Sequence, residues 1–205
     1  MPIPSDFVVR KLTIEYLSSD PLLRIFKTPS GAGHAPIYYG NLGRNRFDSP
    51  AKAFGVIYAA FDLSTCFAET ITREGNRSPL HNCGIPVSDA ADVQTRFVAT
   101  LQCQRPLKLA NMTDAGLYAV GAEAGEFNSV DYPATTQLWA EEIFNRPEMV
   151  DGIFYRSRFL NGRAAVAIFD RGGLNVKLLA SNVVPLQQHP SYPTALMELN
   201  VCLLP

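Results

Sequence analysis

From Phe54 to Phe61 the sequence reads FGVIYAAF, an apolar run rich in β-branched and aromatic residues that suits a buried strand. Asp62 and Ser64 follow at once, and either can accept from the free N–H groups that open a helix. A helix from there to about Arg73 puts Leu63, Phe67 and Ile71 on one face, at about 100° per residue, with Glu69 on the far side. The strand, tight turn and helix carry Tyr58 and Glu69 eleven positions apart (69 − 58 = 11). Taken alone, Glu69 reads as a solvated acid paired with Arg73 one turn later.

Further elements follow the same logic. Leu22 to Phe26 reads as a strand, and Phe7 to Tyr16 suits either a strand or a short helix. Between them and the central strand lies TPSGAGHAPIYYGNLGRNRFDSP, a long Gly-, Pro- and Asn-rich loop of the kind that carries function. Arg96 to Cys103 alternates apolar and polar positions, and Leu107 to Leu109 extends a sheet. Thr113 starts a short helix to about Gly121, and Pro133 suits the first turn of a helix that ends before Pro147. Gly152 to Tyr155, Ala164 to Phe169, Asn175 to Leu179 and Leu196 to Leu203 read as strands, with a hairpin turn at Arg171-Gly172-Gly173. Short strands with segregated helices indicate an α+β fold, and residues 1–205 show no repeat or linker that would divide them.

Composition narrows the function classes. A chain of 205 residues with 47% apolar and 18% charged residues has ample material for one core. Its net charge of −1, without a basic block, argues against direct nucleic-acid binding, though a pocket sized for one pyrophosphate remains compatible. Cys66, Cys83, Cys103 and Cys202 are too scattered for a zinc site; Cys66 and Cys103 read as small core residues. His34, His81 and His189 show neither metal spacing nor a serine partner, and no nucleophile elbow is present. SGAGHAP lacks the spacing of a dinucleotide fingerprint. The N-terminus has no secretory pattern and no stretch reaches the roughly 18 apolar residues of a membrane span, which leads to the expectation of a cytoplasmic protein.

Three residue types in the central segment have a shared use. Arg46 offers a planar fork of donors for phosphate oxygens, Tyr58 a stacking face, and Glu69 a carboxylate that can steady a cationic sugar carbon. Together they suit a phosphorylated nucleotide on which positive charge develops. Arg24, on an otherwise apolar strand, is a second candidate for phosphate or ribose contact; a surface arginine is its ordinary reading. Tyr58 could equally be a core residue with a satisfied hydroxyl, and Ser157 a loop or cap residue.

Four segments in order carry a family resemblance: LRIF (Leu23–Phe26), NRFDSP (Asn45–Pro50), GVIYAAFDLSTCFAE (Gly55–Glu69), and GIFYRSRF (Gly152–Phe159) followed by VAIFDRGGLNV (Val166–Val176). The third is the most specific. The chain resembles the RES domain, the toxin of RES–Xre toxin–antitoxin pairs. That resemblance implies a fold similar to the ADP-ribosyltransferase core, with two packed, mostly antiparallel sheets and peripheral helices. It implies cleavage of the nicotinamide–ribose bond of NAD⁺, as a glycohydrolase or a phosphorylase, with NAD⁺ as substrate and neither metal nor other cofactor. It assigns Arg46, Tyr58, Glu69 and Ser157 to catalysis and Arg24, Arg46 and Tyr58 to substrate binding, with Ser157 pointing into the pocket. A cognate Xre-type antitoxin that plugs the pocket mouth, and a homodimer within that complex, follow from the same resemblance. One departure stands out: Asn45 replaces the glycine that usually precedes the arginine, while Gly43-Arg44 lies two positions earlier, so Arg44 rivals Arg46. Arg156 and Arg158 flank Ser157 as surface or outer phosphate contacts. A mono-ADP-ribosyltransferase, a translocated effector and a non-catalytic nucleotide-binding module are the alternatives.

Overall fold

The computed structural model describes residues 3–18, 20–27, 35–72 and 87–204. The central segment forms the strand and helix that its pattern predicts: β3 (Val56–Ala60) and, in chain order after β1 (Ile14–Leu17) and β2 (Leu22–Lys27), helix α1 (Leu63–Thr70). Asp62 caps α1, its carboxylate accepting from Thr65 N at 2.8 Å. Beyond it come β4 (Val87–Asp89), α2 (Ala90–Gln94), β5 (Arg96–Cys103), β6 (Leu107–Met112), α3 (Asp114–Val120), α4 (Ala124–Asn128), α5 (Thr136–Phe144), β7 (Gly152–Arg156), β8 (Ala164–Phe169), β9 (Leu178–Pro185), α6 (Tyr192–Leu199) and β10 (Cys202–Leu204).

Eight strands join in one sheet, ordered β1-β6-β7-β8-β3-β2-β5-β9; β10 and β4 form a small parallel ladder. Among the described residues of the large sheet only β6 and β7 run parallel, and the chain between them supplies α3, α4 and α5 as the crossover such a pair requires. The sheet buries both faces, because its strands alternate two apolar sets. Val56 and Ala60 of β3, Ile153 and Tyr155 of β7, and Ala165, Ala167 and Phe169 of β8 share a core with α1, α5 and α6. Ile57, Ala59, Val166 and Ile168 belong to a second core to which, among the described residues, no helix contributes.

That second core explains the shape. It unites Leu17 of β1 and Leu109 of β6, at one end of the strand order, with Leu101 of β5 and Leu178 of β9 at the other. Residues so far apart in the order meet only when the sheet curls over on itself. The two packed layers that the resemblance implies are thus the halves of a single continuous sheet in an α+β domain.

Several local expectations are corrected. The segment Leu196–Leu203 is not a strand: α6 occupies Tyr192–Leu199, with Pro193 in its first turn and Asn200 closing it at φ 50°, and only Cys202–Leu204 is extended. The predicted strand at Asn175–Leu179 begins later, at Leu178, and runs to Pro185 at the edge of the sheet. Arg171-Gly172-Gly173 is not a hairpin, since β8 and β9 do not pair; Gly172–Leu174 forms a 3-10 turn. The helix expected at Pro133 starts at Thr136. Phe7–Val9 is a 3-10 turn ahead of β1. His34, His81, Arg73 and Cys83 lie outside the described residues. Among the described residues no helix is long and apolar enough to cross a membrane, and no group of His, Cys, Asp and Glu is gathered to hold a metal.

Candidate active site

Helix α1 decides where Glu69 goes. Its stripe of Leu63, Phe67 and Ile71 is buried as the periodicity predicts, yet Ser64, Thr65, Cys66 and Ala68 are buried too. Helix α6 covers the stripe side, through the Phe67–Tyr192 ring contact and the Ser64 hydroxyl donating to Glu198, while Cys66 Sγ donates to Leu23 O of β2. What seemed a solvated face is an internal wall, and Glu69 and Thr70 emerge from its end into a cavity of about 250 Å³.

The cavity gathers residues from seven segments, α1 among them. Arg24 and Ile25 come from β2, Asn45 and Arg46 from the long loop, Tyr58 from β3, and Tyr155 from β7. Arg96 opens β5 and Tyr132 lies between α4 and α5. Arg24, Arg46, Tyr58 and Glu69 therefore share one cleft. Ser157 does not: it is fully buried behind the wall, and its Oγ accepts from Phe159 N and Leu160 N, building the turn after β7. That turn delivers Arg158 N to Glu69 Oε1 at 3.1 Å. Ser157 thus acts on Glu69 through the backbone, as a positioning residue.

Burial separates the two loop arginines. Arg46 is 5% exposed, whereas Arg44 faces outward and contributes only its backbone N–H, to Asp48. The Arg46 guanidinium lies over the rings of Phe47 and Tyr155, at 5.2 and 4.9 Å. Its Nη1 donates to Arg156 O at 3.2 Å and its Nη2 to Phe127 O. Burial lowers its pKa; Tyr155 and Glu69 pull the other way. Burial likewise brings Arg24 down to about 10, and its Nη2 donates to Tyr38 O. The Nε of Arg24 and the Nε of Arg46 are both buried without a partner among the described residues.

Tyr58 takes a role that its place in the sequence did not disclose. Its ring lines the cavity, while its hydroxyl donates to Asp48 Oδ1 at 2.9 Å and accepts from Phe47 N at 2.8 Å. Burial, then the Asp48 charge, push the phenol well above its usual pKa. Asp48, fully buried, turns its other oxygen to Arg44 N, Asn45 N and Asn45 Nδ2. From outside the loop, Gln137 Nε2 of α5 donates to Gly43 O and Asn45 O. The arginine loop is thereby clamped from both sides. Asp48 and Gln137 were missed by sequence reasoning. The Asp-Ser-Pro after Phe47 signalled a turn, and a buried Asx brace is the physical content of that signal. Gln137 carried no local signal.

Charge defines what the cleft accepts. Arg24, Arg46 and Arg96 line it against one carboxylate, Glu69. Arg158 stands close by, its guanidinium 5.7 Å from the Tyr132 ring, and its Nη1 is buried without a partner among the described residues. Arg96 is in turn held by Asp92, at 2.6 Å. The described cleft thus carries more guanidinium than carboxylate groups, set beside the Tyr58, Tyr132 and Tyr155 side chains.

An α+β domain with a curled sheet and an arginine-lined cleft is the class that this geometry defines. It is similar in fold to a chain of the Mycobacterium tuberculosis MbcT–MbcA toxin–antitoxin complex, with a TM-score of 0.59 at 17% identity, over 90% of this chain and 91% of that one. The RES domain model matches residues 21–200, and the chain belongs to the RES domain family. No curated protein sequence matches at a significant level.

Proposed function

We propose that this protein is a toxin that cleaves the nicotinamide–ribose bond of NAD⁺ in the cytoplasm and is neutralised by a cognate Xre-type antitoxin. One observation carries the reading: Arg24, Arg46, Tyr58 and Glu69 meet around one cavity. Membership of the RES family and the fold shared with a toxin–antitoxin component support it.

The chemistry follows from the charges. Nicotinamide is bound to ribose as a cation and leaves neutral, so the positive charge passes to the ribose C1 as the bond lengthens. Glu69, with Oε1 fixed by Arg158 N, holds a carboxylate where that charge, or the ribose hydroxyls, can meet it. Arg24 and Arg46 bind the diphosphate and orient the sugar, while Tyr58 and Tyr155 supply ring faces. Attack by water on C1 gives ADP-ribose, nicotinamide and a proton; attack by phosphate gives the ADP-ribose 1-phosphate ester and nicotinamide. The antitoxin acts by occupying the cleft mouth.

Incubating the purified protein with NAD⁺, with and without phosphate, and identifying products by mass spectrometry tests the reading. Glu69→Gln is expected to lower kcat by about 100-fold or more with little change in fold. Arg46→Ala should chiefly raise KM, whereas Arg44→Ala should leave both parameters near those of the parent protein. Absence of nicotinamide release, or full turnover by the Glu69 variant, refutes the assignment. A mass gain on a cellular protein in place of free ADP-ribose would make the enzyme a transferase.

A further inference from the structure

Apolar packing holds helix α1 on the sheet but carries no direction, so it does not by itself fix where Glu69 points. Directional contacts do that, and they converge on the loop from Ser157 to Arg163, which joins β7 to β8. The loop closes on itself: Ser157 N donates to Arg163 O at 2.9 Å, and Arg163 N to Leu160 O at 2.8 Å. Near its start, Arg158 N donates to Glu69 Oε1. At its far end, Arg163 Nη1 donates to Asp62 Oδ1 at 2.8 Å, the same oxygen that caps α1 by accepting from Thr65 N. Arg163 Nη2 donates to Glu198 Oε1 of α6, and Glu198 Oε2 accepts from Ser64 Oγ, in the first turn of α1, at 2.6 Å. We infer that Arg163, which stands outside the cleft lining described above, is a positioning residue for Glu69. This rests on the catalytic role proposed for Glu69 and adds the residue that orients it.

Geometry gives the reason. Asp62 and Glu69 lie seven positions apart (69 − 62 = 7), about 10 Å along the helix. One short loop therefore grips α1 at two points, its capping residue and its catalytic carboxylate. A slide or rotation of the helix against the loop breaks one grip or the other. The ordinary alternative is a surface ion pair with no bearing on the site. Burial separates the two readings in effect: the side chains of Arg163, Asp62 and Glu198 are 35%, 38% and 38% exposed, and ion pairs so open to solvent add little to stability. Losing them should leave the fold nearly intact. A carboxylate displaced by a fraction of an ångström is felt in turnover instead.

Arg163→Met keeps the aliphatic stem and removes both charged contacts; Arg163→Lys offers one ammonium, enough for one carboxylate. The methionine variant is expected to lower kcat for NAD⁺ by about tenfold or more, with KM within about twofold, and the lysine variant to fall between. In a Glu69→Gln background, Arg163→Met should lower kcat no further, because the group it positions is already gone. Unchanged kcat in the single variant, or a further tenfold loss in the double variant, overturns the inference. Hydrogen exchange at the Arg158 amide, followed by NMR, needs no turnover. It should quicken by about tenfold in Arg163→Met while Val166 and Ile168 in β8 keep parent rates; parent-like exchange at Arg158 also overturns the inference. Should Arg163→Met unfold, Asp62→Asn, which keeps an acceptor for Thr65 N and removes the charge, carries the same measurements. Faster Arg158 exchange in a protein that leaves NAD⁺ intact keeps the positioning role and refutes the enzymatic reading.

Discussion

Replacing Asp48 by alanine should separate loop bracing from substrate chemistry more sharply than any change within the cleft. Asp48 is fully buried and accepts four hydrogen bonds: from Arg44 N at 3.0 Å, Asn45 N at 2.9 Å, Asn45 Nδ2 at 3.0 Å and the Tyr58 hydroxyl at 2.9 Å. Alanine strands two backbone donors in a half-buried loop, each costing about 1–3 kcal/mol. Because the bonds share one acceptor group their losses are not additive, and a total of about 3–4 kcal/mol is expected. For a chain of this size, that lowers Tm by about 10 °C. Asparagine is the informative control. Its amide oxygen can take the place of Oδ2 and keep three donors satisfied, leaving its NH₂ to face the Tyr58 hydroxyl, which then accepts instead of donating. The expected cost falls to about 1 kcal/mol. In activity, a loop shifted by about 1 Å misplaces Arg46 and lowers kcat/KM for NAD⁺ by about 100-fold in Asp48→Ala, far less in Asp48→Asn. Urea melts together with steady-state kinetics at a temperature where both variants are folded provide the measurement. Equal stability of the alanine and asparagine variants, or parent-like kcat/KM in Asp48→Ala, would show that the clamp does not set the arginine.

Other outcomes follow from the same geometry. ADP-ribose, whose diphosphate Arg24 and Arg46 are proposed to bind, should stabilise the protein by about 2.7 kcal/mol at 100 times its Kd. Arg24→Ala should reduce that melting shift, and an undiminished shift would remove Arg24 from the site. Ser157→Ala withdraws the acceptor of Phe159 N and Leu160 N, and should lower kcat more than it raises KM by loosening the turn that fixes Glu69. A pure KM effect would instead mean direct substrate contact. The Arg146 hydrogen bond holds Glu148 below the usual carboxylate range, partly offset by burial. A folded-state pKa below the unfolded one contributes stability that is present above the unfolded value and lost as pH falls through the folded one. Glu148→Gln should therefore flatten the acid limb of a stability–pH curve below about pH 4.3 and leave its neutral region nearly level.

How far the sequence discloses this molecule depends on the range of the interaction. The strands Arg96–Cys103 and Ala164–Phe169 match their predicted bounds because alternation or a compact apolar run is a local property. The cap at Asp62 is likewise written within three residues. The C-terminal helix was misread because Leu199, Val201 and Leu203 alternate as in a strand, although Pro193 and Asn200 carried the helix signals. Sheet closure was not legible, since the contact of Leu17 and Leu109 with Leu178 depends on the curl and not on any nearby sequence. In the cleft, Arg24, Arg46, Tyr58 and Glu69 could be named from residue type and spacing. Their supports could not: Gln137 lies more than ninety positions from the carbonyls it holds, and Glu69 depends on a backbone N–H at Arg158.

Those supports change what the tyrosine and serine mean. A site reading based on residue type alone casts Tyr58 and Ser157 as groups that touch substrate. Their hydroxyls instead hold protein backbone, Tyr58 at Phe47 N and Ser157 at Phe159 N and Leu160 N. Each stands one hydrogen-bonded step behind a charged residue, Tyr58 behind the Arg46 loop through Asp48 and Ser157 behind Glu69 through the turn. Such a division of labour is what a buried charge needs. A guanidinium or carboxylate in a half-dry cleft gains from a ligand only if it is held where the ligand's opposite charge arrives, and a loop supplies that fixity only when its own donors and acceptors are satisfied. Removing Tyr58's hydroxyl should accordingly orphan Phe47 N and cost about 1–3 kcal/mol of stability, with activity falling through the loop. Restoring the hydroxyl's effect requires a loop that holds Arg46 by other means. A Tyr58→Phe variant that is fully stable yet inactive would place the phenol on the substrate after all.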